Sequence, residues 1–298
     1  MSAEVLESMF SIIGIVVVIG AILGGYLMEH GNLKVLIQPA ELIIIGGAAI
    51  GTLLIANPLP VIIKIIKALL GVLCSGKYSK ARYLNTLKML NDLFKKGRKG
   101  GIAALEGDIE EPENSELFKA YPEVLKDHHV LDFICDTVRT GMSGSVSHYD
   151  LDAMIELDLE VHHRQVSIPV NALTTVADAL PGLGIVAAVL GVVITMGSLG
   201  GPPEEIGKKV AAALVGTFLG ILLCYGFLSP LAASITKQND AESEYYHSLR
   251  TGLIAYFRGA APILAVEFSR RSIPADVRPS FKEMEESFKA AKVESIAA

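Results

Sequence analysis

The sequence predicts an all-α, polytopic membrane protein with four transmembrane helices and a helical cytoplasmic domain. Hydrophobic residues make up 51% of the chain and charged residues 19%, against roughly 25% in an ordinary soluble domain. Mean hydropathy is +0.46. The charges also lie outside a few apolar blocks, and the clearest block is Leu180 to Leu199, LPGLGIVAAVLGVVITMGSL, which has no ionisable side chain. At 1.5 Å per helical residue it is long enough to cross a hydrocarbon core of roughly 30 Å. A net charge of -6 argues against a nucleic-acid partner, which needs a basic surface to neutralise phosphates.

Met9 to Leu27 is the first uncharged block, preceded by Glu4 and Glu7 and so unlike the basic start of a cleaved signal peptide. Gly20 and Gly24 give it a GxxxG face suited to helix packing. A polar connector, Met28 to Gln38, leads to the second block, Leu42 to Ile63, which carries Pro58 and Pro60 near its end. Glu41 stands at its entrance. One reading is a first-turn carboxylate favoured by the helix dipole, and the other is an ion ligand at the mouth of a pathway.

From Lys64 to Lys99 the chain turns basic, which marks the cytoplasmic side of a preceding span. The first two spans therefore form a hairpin with the connector outside. Residues 78–165 are too polar to cross a membrane. Leu84, Leu87, Leu90, Leu93 and Phe94 have helical spacing that ends at Gly97, Gly100 and Gly101, and an acidic loop follows from Glu110 to Glu116. His129 to Met142 and Ser147 to Gln165 read as further helices. Ser147 is the expected N-cap, Leu151, Ile155 and Leu159 line one face, and the surrounding carboxylates face water or a basic partner.

The last spans are Leu180 to Leu199 and Val210 to Ser234, the second with a GxxxG pair at Gly216 and Gly220 around Thr217. The tail from Lys237 carries Arg250, Arg258, Arg270, Arg271, Arg278 and Lys282, enough Lys and Arg to keep it inside, so both termini are expected in the cytoplasm. The expected divisions are 1–66, a first transmembrane hairpin; 67–168, a cytoplasmic helical domain; 169–236, a second hairpin; and 237–298, a cytoplasmic helical tail.

Little in the chain points to catalysis. The three cysteines, Cys74, Cys135 and Cys224, fit no metal or disulfide pattern and read as ordinary thiols. Asp127, His128 and His129, and the pair His162 and His163, tempt a metal reading. Adjacent helical residues do not share a face, however, so a solvated polar surface is expected. No phosphate loop or nucleophile motif occurs, and neither an enzyme nor a cofactor is expected. The spans also lack a central ionisable residue of the kind an ion carrier holds. Asp178 and Glu41 come nearest, and Asp178 is either the N-cap of a helix with Pro181 in its first turn or part of an ion path.

Several runs resemble the MotA family, the proton-channel subunits of bacterial flagellar stators, along nearly the whole chain. They include Gly24-Gly25-Tyr26-Leu27-Met28, Gln38-Pro39-Ala40-Glu41-Leu42, Leu131-Asp132-Phe133-Ile134, Gly184-Ile185-Val186-Ala187-Ala188-Val189, Val215-Gly216-Thr217-Phe218-Leu219-Gly220 and Val277-Arg278-Pro279-Ser280-Phe281. The resemblance implies a pentamer in the bacterial inner membrane around a dimer of a single-span, peptidoglycan-anchored MotB-like partner that carries an essential aspartate. It implies contact with the rotor protein FliG through Arg98 and Glu106, and functional prolines at Pro181 and Pro230. In sodium-driven relatives a threonine matches Ala188, so with Thr217 as the remaining hydroxyl the implied ion is the proton. The partner's aspartate is expected against Ala187, Ala188 and Thr217.

An energiser of the ExbB or TolQ type shares the channel but not the Arg98 and Glu106 region. A secondary transporter predicts internal repeats, and none is found in the sequence.

Overall fold

The computed structural model describes residues 3–72, 77–197 and 199–297, and these are helical with short connections and no strand. Among the described residues four helical segments are long and apolar enough to cross a membrane: Phe10–Met28, Leu33–Ala56, His148–Met196 and Pro203–Phe257. The all-α, four-span expectation therefore holds. Cys74 lies outside the described residues. The chain divides into two compact units, residues 1–76 with 166–238, and residues 77–165 with 239–298.

The first unit is the apolar one. Its opening helix is Ala3–Met28, whose residues 10–28 present a largely exposed surface, and a Cβ added at Gly20 or Gly24 meets nothing within 4 Å among the described residues. The GxxxG face read there therefore packs against nothing among the described residues. The connector is not all loop, because Asn32 caps a one-turn helix, Leu33–Leu36, its Oδ1 accepting from the Lys34 amide at 3.0 Å.

The second block does not run to Ile63 as a single helix. It stops at Ala56, and a new helix, Leu59–Val72, begins after Pro58. Proline disfavours helical backbone in the residue before it, and Asn57 is accordingly extended at φ −134 and ψ 141. The Leu59–Val72 helix buries Ile65 and Val72 against Val170, Leu173, Ala232 and Ile235, while Lys64 and Lys67 stay exposed.

The third apolar block is the end of a long helix, His148–Met196, of which residues 166–196 belong to this unit. Asp178 is thus not an N-cap and Pro181 is not in a first turn, since both lie in the helix interior. Long flanking helix on both sides offsets the hydrogen bond that proline cannot donate. The fourth block begins at Pro203 and passes through a π-helical stretch, Leu222–Leu228, before continuing as Ser229–Phe257. The Ser229 amide bonds the Cys224 carbonyl, five residues back. Pro230 follows at once, and a proline ring clashes with the carbonyl four residues earlier, which a widened turn relieves. The sequence offers no sign of the π turn beyond Pro230 itself.

The second unit is a helical domain with its own core. Ser79 caps the helix Lys80–Gly100, which buries Tyr83, Leu87, Leu90, Leu93 and Phe94, close to the face read from the sequence. Short helices at 102–110, 116–119 and 122–125 lead to His128–Met142. Ser147 begins the next helix as expected, its Oγ accepting from the Asp150 amide at 3.1 Å, and Leu151 and Ile155 are buried. The acidic face of this helix meets a basic partner within the chain: Arg250 lies 2.6 Å from Asp152 and 3.2 Å from Glu156, and Arg258 also pairs with Asp152.

Candidate functional site

The third and fourth spans cross with their backbones in contact. A Cβ at Gly184 would stand 2.9 Å from the Gly216 carbonyl oxygen and 3.1 Å from the Gly220 Cα. One at Gly220 would stand 2.5 Å from the Leu180 carbonyl oxygen. Removing side chains here lets the helices approach far closer than larger residues permit, the use expected of GxxxG in a span. Ala187 is fully buried at this crossing, whereas Ala188 and Thr217 are half-buried beside it. Thr195 turns its hydroxyl to its own helix, donating to the Gly191 carbonyl at 2.8 Å. Among the described residues Thr217 makes no such bond, leaving its hydroxyl uncommitted.

Of the carboxylates read from the sequence, Asp178 is exposed. Glu41 behaves differently. It lies in the first turn of Pro39–Ala56, but it makes no capping hydrogen bond among the described residues and is only 6% exposed. Its Oε2 is buried without a hydrogen-bond partner and abuts Gly216, where an added Cβ would be 2.6 Å away. The helix starts at Pro39 and packs along the fourth span, so a residue at the end of its own helix faces the interior of another. Sequence position alone hides this, because it gives depth along one helix and nothing about the neighbour.

In the second unit, Arg98 is exposed in the last turn of Lys80–Gly100 and Glu106 is exposed at the start of Glu106–Glu110. Gly101, at φ +77, turns the chain between them through the 3-10 helix Ile102–Leu105. Gly97 lies under Tyr256, whose ring stacks on Phe94 at 4.5 Å. Arg98 thus rims an open depression of ≈ 410 Å³ with Gly97, Gly101, Ile102, Tyr256 and Phe257. Asp108 anchors the following helix. It is buried, accepts from Ser115 Oγ at 2.7 Å and pairs with Lys96 at 2.5 Å. Sequence reasoning missed this clamp, whose signal was one carboxylate inside an otherwise apolar helical stripe.

His128, His129 and His163 are exposed, as expected of a solvated surface, but Asp127 and His162 are not. Asp127 is buried between Arg82 and Lys77, and these cations outweigh the burial that would raise it, so its carboxyl is held below the usual range. His162 is half-buried with Nε2 3.7 Å from Glu242 Oε1, and His163 Nδ1 is 3.0 Å from Ser243 Oγ.

Closely crossed apolar spans with an exposed helical domain define a class, and comparison with known proteins agrees. Residues 127–248 match the MotA/TolQ/ExbB proton channel family, and residues 12–101 match the motility protein A N-terminal model. The chain is 43% identical to motility protein A of Escherichia coli K12 over 284 residues, 95% of this chain and 96% of that protein. It is 36% identical to chemotaxis protein LafT of Vibrio parahaemolyticus over 274 residues, 92% of this chain and 96% of that one. The flagellar MotAB stator complex from Bacillus subtilis shares the fold, with a TM-score of 0.70 at 22% identity over 90% of this chain and 97% of that chain. The class is therefore that of multi-pass inner-membrane proton channels, not enzymes. Within it, the chain belongs to the motility protein A family, the channel subunits of flagellar stators.

Proposed function

We propose that this chain conducts protons only together with a MotB-like, single-span, peptidoglycan-anchored partner, as a pentamer around a dimer of that partner. What supports the reading is the third-to-fourth-span crossing at Gly184, Gly216 and Gly220, where Ala188 and Thr217 are half-buried and the helices that cross bring no ionisable side chain of their own to the contact. Moving one charge through the membrane potential yields about 2.3 kcal/mol per 100 mV, and a group must bind and release the proton for that energy to be used. The partner's aspartate supplies that group against Ala188 and Thr217. An apolar seat favours its neutral form, so it loads from one side and unloads to the other. Pro181 and Pro230, both within long helices and the second behind a π turn, let these helices flex as the charge changes. The exposed Arg98 and Glu106 engage the rotor protein FliG, and both termini lie in the cytoplasm.

The ion is the proton. The methyl of Ala188 offers no oxygen, and the Thr217 hydroxyl with backbone carbonyls makes a poor set of ligands for sodium. The match of residues 12–101 to the motility-specific model favours the stator over an ExbB or TolQ-type energiser, and that match includes Arg98.

The test is copurification with the partner and a count of chains, then proton flux into vesicles holding this chain alone, the pair, or the pair with the partner's aspartate changed to asparagine. Flux from the pair only is expected. Equal flux from the chain alone overturns the mechanism, and flux surviving the aspartate change moves the carrier into this chain. Motor speed that collapses on removing sodium at constant pH overturns the choice of ion.

A further inference from the structure

Glu41 is the only ionisable residue of the helix Pro39–Ala56. It is nine-tenths buried, and its Oε2 finds no donor. Its carboxylate presses on Gly216 where the fourth span crosses the third, and the space above Gly216 is shared with the Ala187 methyl and the Ala188 amide nitrogen. The cluster around this helix is apolar, with Ile45, Ala49, Leu180, Ala187 and Cys224. A native chain rarely leaves a buried polar atom unsatisfied, and an ionisable group in a span is a functional candidate by default.

The charged groups on the packed elements do not neutralise it. The fourth span carries Glu204, Glu205, Lys208 and Lys209 in its first turns, and Lys208 pairs with Glu204 at 2.8 Å. The third span offers only the exposed Asp178. The short helix Leu33–Leu36, which also packs against the fourth span, offers Lys34. Among the described residues Glu41 forms no ion pair with any of them. An ionised carboxylate without a counter-charge is costly in such surroundings, and binding a proton removes that cost.

We propose that Glu41 is a second proton-binding site of the channel, carried by this chain, which exchanges its proton with the aqueous side bearing the connector 29–38 during each transport cycle. The inference rests on the proton-channel reading above. The packed, protonated carboxyl lies against Gly216. On giving its proton to an acceptor on the partner it becomes a bare carboxylate, which cannot remain in that apolar contact. It swings out, recaptures a proton from the connector side and reseats. Each cycle transfers one proton and changes no other bond. Span 2 is thereby linked to the occupancy of the site on spans 3 and 4.

The experiment uses the complex of the full chain with its partner in vesicles, with flux read against pH on the connector side. Glu41→Gln keeps shape and neutrality but carries no exchangeable acid, and it should lower flux about tenfold or more while copurification is unchanged. Glu41→Asp should restore part of the flux with a displaced pH midpoint. Wild-type flux and pH profile in Glu41→Gln overturn the proposal. Infrared spectra of the purified complex keep the proposal testable if a variant assembles poorly. The wild type should show a protonated-carboxyl band that survives when the partner's aspartate is changed to asparagine, and its absence there also overturns the proposal. Flux persisting in that asparagine complex counts instead against the partner-aspartate reading, so the two failures are distinct.

Discussion

Gly97 lies directly against the Tyr256 hydroxyl, so that a Cβ at Gly97 would stand 2.3 Å from that oxygen and 3.0 Å from Leu105 Cδ1. Phe94 holds the Tyr256 ring from the other face, with planes only 6° apart, so the ring cannot simply tilt away. This contact fixes the end of the helix that carries Arg98. Overpacking of this kind costs typically 1 to about 3 kcal/mol, while replacing a helical glycine by alanine gains about 1. Gly97→Ala is therefore expected to destabilise the second unit by up to about 2 kcal/mol. Tyr256→Phe in the same chain removes the clashing oxygen and should recover most of the loss. Thermal unfolding of the purified single and double variants decides it, and a Gly97→Ala protein more stable than wild type rules the contact out.

Arg98 and Glu106 are exposed, and among the described residues neither takes part in an ion pair. Exposed charges contribute little to folding, from 0 to about 1 kcal/mol per pair, but they determine docking and register. Arg98→Glu and Glu106→Lys should therefore abolish or slow swimming at normal membrane abundance. Asp108→Asn provides the contrast. It weakens a buried carboxylate bound by Ser115 and Lys96, so abundance should fall along with motility, through a loss of about 1–3 kcal/mol. If Arg98→Glu and Glu106→Lys both swim normally, and compensating rotor charges change nothing, the assignment of these residues fails.

The His162 and Glu242 pair makes the stability of the second unit depend on pH. The contact with Glu242 raises the His162 imidazole above its usual value, against burial. Burial works to raise Glu242, yet His162 and Lys77 outweigh it and leave that carboxyl below its usual value. A raised histidine contributes fully below its unfolded value of about 6.5 and loses that contribution as pH rises through the folded value. The lowered carboxylate loses its contribution only in acid, as pH falls through its folded value. Melting temperature should thus decline as pH rises past about 6.5 through the folded value of His162. Both groups are partly exposed and 3.7 Å apart, so the slope should be worth no more than about 1 kcal/mol. His162→Gln should flatten it. An unchanged slope in that variant assigns the pH dependence elsewhere.

The spans were legible because an uncharged stretch long enough to cross a membrane has few other uses, and GxxxG at Gly216 and Gly220 marked the helix crossing directly. Arg98 and Glu106 were singled out by the family resemblance and not by their local pattern. What the sequence concealed was continuity and partnership. Asp178 and Pro181 look like a helix start, and only the whole helix His148–Met196 shows them to be interior. The acidic face at Asp152 and Glu156 looks solvated until Arg250, remote in sequence, is seen to bind it. Glu41 looked like a capping residue because local pattern cannot show that Gly216, without a side chain, leaves room for a carboxylate from another helix.

Three glycines in the spans should respond to the same change in a fixed order, because a new methyl meets something different at each. At Gly20 an added Cβ has nothing within 4 Å in this chain. Gly20→Ala should leave abundance and flux unchanged, or improve helix stability by about 1 kcal/mol, unless a neighbouring subunit packs there. At Gly216 the nearest atom is Glu41 Oε2 at 2.6 Å, the far end of a flexible side chain, followed by Ala187 Cβ at 3.1 Å. Gly216→Ala should be tolerated for assembly while displacing the carboxylate, so flux falls more than abundance. At Gly220 the obstacles are backbone atoms, the Leu180 carbonyl at 2.5 Å and the Gly184 Cα at 2.9 Å. Neither can move without separating the helices, and the cost of overpacking should reach or exceed about 3 kcal/mol. Gly220→Ala should therefore lower the amount of folded chain in the membrane, and Gly220→Val should remove it. Abundance, copurification with the partner and flux measured on the series test the order. A Gly220→Ala complex that forms and conducts like wild type rejects the close crossing on which the channel surface depends.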